Sequence, residues 1–364
     1  MNGNCKSLEN GLQVSFDWLS FTVTEINCLD SIFALFGYSR ADFNELPHGG
    51  DGYKSMLRLN GSSIFVYYDG SDDMGVHVRV SGSAIPELIR SFKSTLEVNT
   101  PFGRAYEIDF ESTFMRELIS AVLKVGHFTR IDLAVDDIGA SYFTTDDICD
   151  FWSQRRIVTR FRNMKSIVDW SSCNVKAGHT VYFGSRKSDI YFRIYDKQLE
   201  QNSKNRYTDV PMITTPWVRW EMECKGSYAD SVAKEFLNGL DLGDLAVGIL
   251  SRYFRIINLD DSNRSRCSLL DRWQDFIRDV SPLKLFASQE GKTLEDKKAW
   301  INKQVAPTFA AILLADGGSL EFFEKIVSDG SKRMKKNLRR LVDQALHDFS
   351  SGGGDGCGDS FFGS

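Results

Sequence analysis

One order of elements occurs twice in this chain, and it limits the fold more than any other feature. Val14 to Val23 is rich in aromatic and β-branched residues, as a strand should be. A helix over Cys28 to Phe36 follows, then strands near Ser55 to Leu59, Ser63 to Tyr68 and Val76 to Val80, then a helix from Ile85 to Phe92. Asn60-Gly61 between two of these strands is a strong hairpin signal. The order returns as a strand over Phe128 to Asp136, a helix over Thr144 to Gln154 with Thr144 or Thr145 as N-cap, strands over Thr180 to Gly184, Ile190 to Lys197 and Trp217 to Cys224, and a helix over Tyr228 to Phe236. The junctions before the closing helices also match, Val80-Ser81-Gly82-Ser83-Ala84 resembling Cys224-Lys225-Gly226-Ser227-Tyr228. Each sheet needs one face covered, so the expectation is an α+β protein built of two related antiparallel sheets with helices on one side of each.

Past residue 240 the pattern becomes helical, over Leu242 to Phe254, Leu270 to Val280, Leu294 to Gln304, Pro307 to Leu314, Leu320 to Val327 and Met334 to His347. The expected division is an N-terminal α+β segment (1–110), a second α+β segment (111–240), a helical C-terminal domain (241–349) and a disordered Gly/Ser/Asp-rich tail (350–364).

Composition excludes several classes. The formal net charge of −5 rules out a generally basic coat, so any nucleic-acid surface is local. Seven scattered cysteines with no CxxC spacing give neither a disulfide framework nor a zinc cluster. No apolar run approaches the roughly 20 residues of a membrane helix, so a soluble, cytoplasmic protein with no membrane partner is expected. The five histidines are isolated, and no Walker GxxxxGK[ST] or GxSxG motif is present.

The chemistry gathers on three strands of the second segment. In Ile190 to Lys197, Phe192 and Ile194 point one way and Tyr191, Arg193, Tyr195 and Lys197 the other. Around Arg130 to Asp136, the apolar Ile131, Leu133 and Val135 leave Arg130, Asp132 and Asp136 opposite; in Val218 to Glu223, Arg219, Glu221 and Glu223 are left in the same way. One sheet face thus offers carboxylates, a tyrosine and cations. Hard carboxylate oxygens at Asp132, Asp136, Glu221 and Glu223 suit Mg²⁺ or Mn²⁺, which stabilises charge growing on a phosphodiester. Tyr191 or Tyr195 would be the nucleophile, and since a phenol titrates near pH ~10, the metal, Arg193 or Lys197 would have to help ionise it. The plain alternative is a solvent-facing antiparallel sheet, which shows the same alternation.

Charge distribution favours the chemical reading. Between Arg155 and Arg206 twelve cations, among them Arg160, Arg162, Arg186 and Lys187, face four anions. Phe161, Trp170, Tyr182 and Tyr191, interleaved there, suit stacking on unpaired bases while the cations take phosphates. A second basic run, Lys332 to Arg340, could grip duplex DNA or simply be a solvated helix face.

Four ordered blocks, Thr129-Arg130-Ile131-Asp132-Leu133-Ala134-Val135-Asp136, Val181-Tyr182-Phe183-Gly184-Ser185-Arg186-Lys187-Ser188, Arg193-Ile194-Tyr195-Asp196-Lys197 and Arg219-Trp220-Glu221-Met222-Glu223, resemble the replication initiation factor family: rolling-circle plasmid initiators, relaxases of integrative conjugative elements and related phage proteins. Asp17-Trp18-Leu19-Ser20-Phe21 also resembles the family's N-terminal strand. The resemblance implies an HUH-like catalytic half without the histidine pair. It implies a metal-dependent DNA nicking and strand-transfer enzyme whose nucleophile falls on Tyr195, forming a 5′-phosphotyrosyl link and freeing a 3′-hydroxyl. Its acidic metal positions fall on Asp132 and Glu221; the shared-face argument adds Asp136 and Glu223. Arg186, Lys187, Arg193 and Lys197 would hold the scissile strand, with Tyr191 stacking beside it. The implied partners are an origin with a single-stranded or hairpin nick site, a host helicase and a polymerase, with a homodimer as an allowed assembly. The rivals are a noncatalytic DNA-binding regulator of a mobile element and a water-using metal phosphodiesterase.

Overall fold

The computed structural model describes residues 5–6, 8–24, 29–71, 74–89, 110–205, 210–281 and 301–334, with single positions at 298, 339 and 342. The expected helices over 294–304 and 334–347 lie largely outside the described residues, as does most of the 332–340 basic run; the 350–364 tail lies wholly outside. In chain order the strands are β1 (Cys5–Lys6), β2 (Gly11–Val23), β3 (Phe43–Glu45), β4 (Ser55–Leu59), β5 (Ile64–Tyr68), β6 (Val76–Ser81), β7 (Gly126–Ile138), β8 (Ile157–Thr159), β9 (Met164–Trp170), β10 (Lys176–Phe183), β11 (Ile190–Asp196), β12 (Met212–Ile213), β13 (Trp217–Lys225) and β14 (Phe254–Ile256). The helices are α1 (Leu29–Leu35), α2 (84–89), α3 (Phe110–Val125), α4 (Thr145–Ser153), α5 (Lys197–Asn205), α6 (Ser227–Leu237), α7 (Leu242–Tyr253), α8 (Asp271–Val280), α9 (Ala306–Ala315) and α10 (Glu321–Lys332).

The α+β class is as expected, but the two sheets are one. Ten strands run in the order β3-β4-β5-β6-β2-β7-β13-β11-β10-β9, every neighbouring pair antiparallel. From the seam between β2 and β7 the order outward is β6, β5, β4, β3 on one side and β13, β11, β10, β9 on the other, a palindrome that carries the sequence duplication into space. The physical reason for the merger is the edge: each half begins with a 13-residue strand whose unpaired backbone groups would invite association, and pairing the two removes both edges at once.

The alternation seen in the sequence sorts each strand between two faces. Val218, Trp220, Met222 and Cys224 of β13, Ile131, Leu133 and Val135 of β7, and Ile190, Phe192 and Ile194 of β11 are all buried against helices. Apolar stripes of α1, α2, α3, α4, α6, α7 and α8 complete that single core. Local signals set the helix starts: Thr144 Oγ1 accepts from the Asp147 amide at 3.1 Å while the Asp147 carboxylate accepts from the Thr144 amide at 2.9 Å, the capping box that opens α4.

The borders expected at 110/111 and 240/241 do not separate compact units. One unit takes Met1–Arg206 with Pro211–Gln289, and a second takes Tyr207–Val210 with Glu290–Ser364. The reason is burial: Leu242, Ala246 and Leu250 of α7 and Trp273, Phe276 and Val280 of α8 lie in the core under the sheet, with the Trp220 and Phe276 rings 5.3 Å apart. Helical content beyond residue 300 is as expected: α9 and α10 belong to the second unit, with Phe309 and Phe323 in edge contact at 5.1 Å.

Candidate active site

The other face of β11 carries the chemistry. Its register sets three lateral rows across the second half of the sheet. Tyr191 stands opposite Glu223 and Glu223 opposite Asp132; Arg193 stands opposite Glu221 and Glu221 opposite Ala134; Tyr195 stands opposite Arg219 and Arg219 opposite Asp136. All four candidate acids thus share one face with Tyr195, as the alternation required.

They are not the solvated face that alternation alone allowed. Asp132 is 0 % exposed, Glu221 3 % and Asp136 4 %, and arginines occupy the carboxylates. Arg130 Nε donates to Asp132 Oδ1 at 2.7 Å and its terminal nitrogen lies 2.8 Å from Glu223 Oε2. Arg193 pairs with Glu221 and lies 3.7 Å from Asp132 Oδ2. Arg219 grips Asp136 with two nitrogens, each at 2.7 Å, and Trp217 Nε1 adds a bond of 2.6 Å. Removing a carboxylate from water costs several kcal/mol unless paired, so these guanidiniums are what permit the acids to be there.

Around Tyr195 the field is mixed. Burial raises its phenol above the ordinary value, and Arg219 pulls the other way. Lys197, the first residue of α5, places Nζ 3.3 Å from Tyr195 Oη and 2.6 Å from Glu200 Oε2. Burial and then Arg219 lower the Lys197 ammonium, while Glu200 supports it. Asp136 and Asp17 hold the Arg219 guanidinium well above its usual range, overcoming its burial. Tyr191 is buried, stacks on Tyr182 at 5.9 Å, and has its phenol raised by that burial.

Donor chemistry and arrangement must be weighed separately for a metal. Asp132, Glu221 and Glu223 offer hard oxygens on neighbouring strands, the right donors for Mg²⁺ or Mn²⁺. As they stand, no group of three His, Cys, Asp or Glu side chains among the described residues is placed to hold an ion, because Arg130 and Arg193 sit between the carboxylates. Asp136 is set apart, its oxygens taken by Arg219 and Trp217.

Of the proposed strand-holding residues, Arg186 and Lys187 are exposed in the β10–β11 turn, where Lys225 Nζ donates to the Arg186 carbonyl at 2.6 Å. Arg160 and Arg162 lie in the β8–β9 connection, and Arg160 stacks 5.9 Å over Tyr253 of α7, beside the helical layer. Two residues of the site were missed. Glu200 is hidden because the alternation of Ile190 to Lys197 continues as a strand, whereas in the structure β11 ends at Asp196 and α5 begins at Lys197. Asp17 was passed over because β2 has a bulge: Phe16 pairs with Leu133 and Trp18 with Asp132, so Asp17 is an extra residue. The bulge turns its carboxylate onto Arg219 at 2.6 Å, and simple alternation cannot reveal such a phase shift.

Residues 126–329, the span holding Asp132, Tyr195, Glu221 and Glu223, match the replication initiation factor family. The chain belongs to that family. It is 30% identical over 284 residues to NicK of Bacillus subtilis (strain 168), which carries a DNA relaxase designation, covering 76% of this chain and 74% of that protein. It also superposes on a rolling circle replication initiator protein from Geobacillus stearothermophilus with a TM-score of 0.62 at 28% identity, over 77% of this chain and 100% of that one. The four blocks noted in the sequence therefore mark a replication initiation factor, and the β2–β7 seam places its less similar first half in the same sheet. Among the described residues no helix is long and apolar enough to cross a membrane.

Proposed function

We propose that this replication initiation factor cleaves one DNA strand at an origin and keeps the 5′ end on Tyr195, initiating rolling-circle replication or conjugative transfer of a mobile element or phage. The observation that carries this reading is the contact of Lys197 Nζ with Tyr195 Oη at 3.3 Å on a face lined by Arg193 and Arg219. Burial favours the neutral phenol and the uncharged amine alike, so the phenol keeps its proton until attack and the amine has a free electron pair to receive it. Tyr195 Oη attacks phosphorus as its proton passes to Lys197 Nζ. The P–O3′ bond breaks, the same proton is available to O3′, and the 5′-phosphate remains as a tyrosyl ester. The freed 3′-hydroxyl is a primer for a polymerase, and a host helicase would extend the opening.

Arg193 lies one two-residue step from Tyr195 on β11, and the two non-bridging oxygens that share the phosphodiester's single charge suit a guanidinium fork. Arg186, Lys187 and Tyr191 would lie along the strand beyond. Asp132, Glu221 and Glu223 would hold Mg²⁺ or Mn²⁺, whose chemistry is to polarise the phosphodiester. A soluble, cytoplasmic setting and a homodimer are compatible with this role.

The test is incubation of supercoiled cognate origin plasmid with Mn²⁺ or Mg²⁺, comparing wild type with Tyr195→Phe. Nicked circles bearing protein on the 5′ end are expected from wild type alone. Undiminished nicking by Tyr195→Phe would overturn the reading in favour of water as nucleophile, and no nicking by wild type would favour a regulator that only binds.

A further inference from the structure

A row of cations crosses the same sheet face beyond the site. Arg58 stands opposite Phe65, Phe65 opposite Arg79, Arg79 opposite Ser20, Ser20 opposite Arg130 and Arg130 opposite Lys225. Six neighbouring strands, β4 to β13, therefore present Arg58, Arg79, Arg130 and Lys225 in one line, which at about 4.8 Å per strand runs about 24 Å. Aromatic rings flank it. The Arg58 guanidinium lies 5.5 Å over Phe65, that of Arg79 lies 5.0 Å over Tyr67 and 5.8 Å over Trp18, and that of Arg130 lies 4.5 Å over Trp18. At its far end Lys225 bonds the Arg186 carbonyl, joining the row to the β10–β11 turn.

The duplication gives this row its meaning. With the matching junctions after Val80 and Cys224 aligned, the registers put Ser20, Arg79 and Phe65 of the first half where Asp132, Glu223 and Tyr191 stand in the second. Two acids are replaced by a serine and an arginine, so the first half has lost the means to hold a cation and gained the means to hold an anion. Neighbouring acids fix these cations: Asp51 pairs with Arg79, Asp132 and Glu223 with Arg130, and Glu223 with Lys225. Arg58 is exposed and donates to the Ser62 carbonyl at 2.9 Å. An arginine has five donors, so each retains some for a phosphate.

We propose that this row is the track for the unpaired DNA strand leading away from the scissile phosphate, carrying several nucleotides from Arg130 across β2 and β6 to Phe65 and Arg58. A six-stranded sheet face is too broad to enter a duplex groove as a helix can, whereas a line of guanidiniums between aromatic rings complements what a single strand presents, a phosphate chain with free base faces. The row shares the face of Tyr195, lying one two-residue step, about 7 Å, from Asp132 and Glu223 and three such steps, about 20 Å, from the row that holds Tyr195 and Arg219. This inference rests on the nicking reading for the strand it assigns, but its test does not require cleavage.

The test measures binding of the full chain, as Tyr195→Phe, to single-stranded oligonucleotides that contain the nick site and are either short or extended by about ten nucleotides on one side or the other. Wild-type surface should gain tenfold or more in affinity from extension on one side. Arg58→Ala, Arg79→Ala and Phe65→Ala should each cut that gain three- to tenfold, and the two arginine variants should lower the salt slope on the extended strand by about one. The ratio of extended to short affinity is internal to each variant, so a variant that merely loses folded protein leaves it unchanged. No gain from either extension, an equal gain from duplex extension, or a gain that survives all three substitutions would overturn the proposal. Failure of the nicking reading would appear separately, as cleavage that persists in Tyr195→Phe.

Discussion

Asp17 and Arg219 stand 202 residues apart in the chain and 2.6 Å apart in the fold. That contact makes the first half of the sheet part of the second half's site. Asp17 on one side and Asp136 on the other hold a guanidinium directly across the strand pair from Tyr195. The same three charges act on the phenol with known signs, Arg219 lowering its titration point and Asp17 and Asp136 raising it.

The two ends of this clamp should therefore shift nicking in opposite directions. Arg219→Gln removes the cation and should move the alkaline limb of the pH–rate profile to higher pH; Asp17→Asn removes an opposing anion and should move it lower. A purely structural clamp would shift neither. Arg219→Gln also leaves Asp136 buried without its cation, held by Trp217 Nε1, and should cost about 3–5 kcal/mol in urea denaturation. A destabilised Arg219→Gln with an unmoved limb would show that the clamp does not act on the nucleophile.

Trp220, Trp273 and Phe276 tie α8 to the underside of the active strand β13, with ring centroids 5.3 to 5.9 Å apart. Phe276, 0 % exposed, should cost about 3–5 kcal/mol when changed to Ala, and far-UV dichroism and Trp fluorescence should lose the folded signal in one transition. Two separated transitions would place α8 outside the unit that contains the sheet.

His77 sets an acid limit on the first half. Burial lowers its titration from 6.5 to about 4, with Arg79 adding to the effect, and its ring lies 3.1 Å from Thr22 Oγ1 and stacks on Tyr53. The folded state prefers the neutral ring, so the stability His77 lends is present above pH 6.5 and is lost as pH falls toward about 4. His77→Gln should be less acid-sensitive than wild type over that window in thermal melts, and parallel melting curves would refute the assignment.

Much of this was legible because a strand with one covered face must alternate. The rows that join Tyr195 to Arg219 and Asp132 to Glu223 follow from periodicity in β7, β11 and β13, and the family blocks fall on those strands. What stayed hidden was long-range or out of phase. Nothing in the residues of β2 and β7 says that each prefers the other to a sheet of its own, since that choice concerns edges rather than faces. The Asp17 bulge adds one residue to a pattern of period two, so the carboxylate reads as lying elsewhere. The helix α3 has a readable spacing in Met115, Leu118, Ile119 and Val122 but stands outside the order of elements that repeats, so the duplication does not point to it. The arginines between the acids were visible as residues, but whether they hold phosphate or carboxylate depends on burial, which alternation does not give.

Lys197 offers the sharpest test of the proposed proton path. Its Nζ sits between Glu200 Oε2 at 2.6 Å and Tyr195 Oη at 3.3 Å, so one substitution removes the proton acceptor and another retunes it. Lys197→Met should lower single-turnover nicking by about 10²–10⁴-fold, the range for a positioned acid–base group, and should lower covalent adduct in proportion. Loss of one cation should change the salt slope of DNA binding by no more than about one. Glu200→Gln removes the charge that supports the Lys197 ammonium and also raises the Tyr195 phenol, so both groups should titrate lower and the alkaline requirement for nicking should relax to lower pH. A Lys197→Met enzyme that binds poorly but nicks at the normal rate once saturated would assign Lys197 to holding the strand and leave the phenolic proton to solvent.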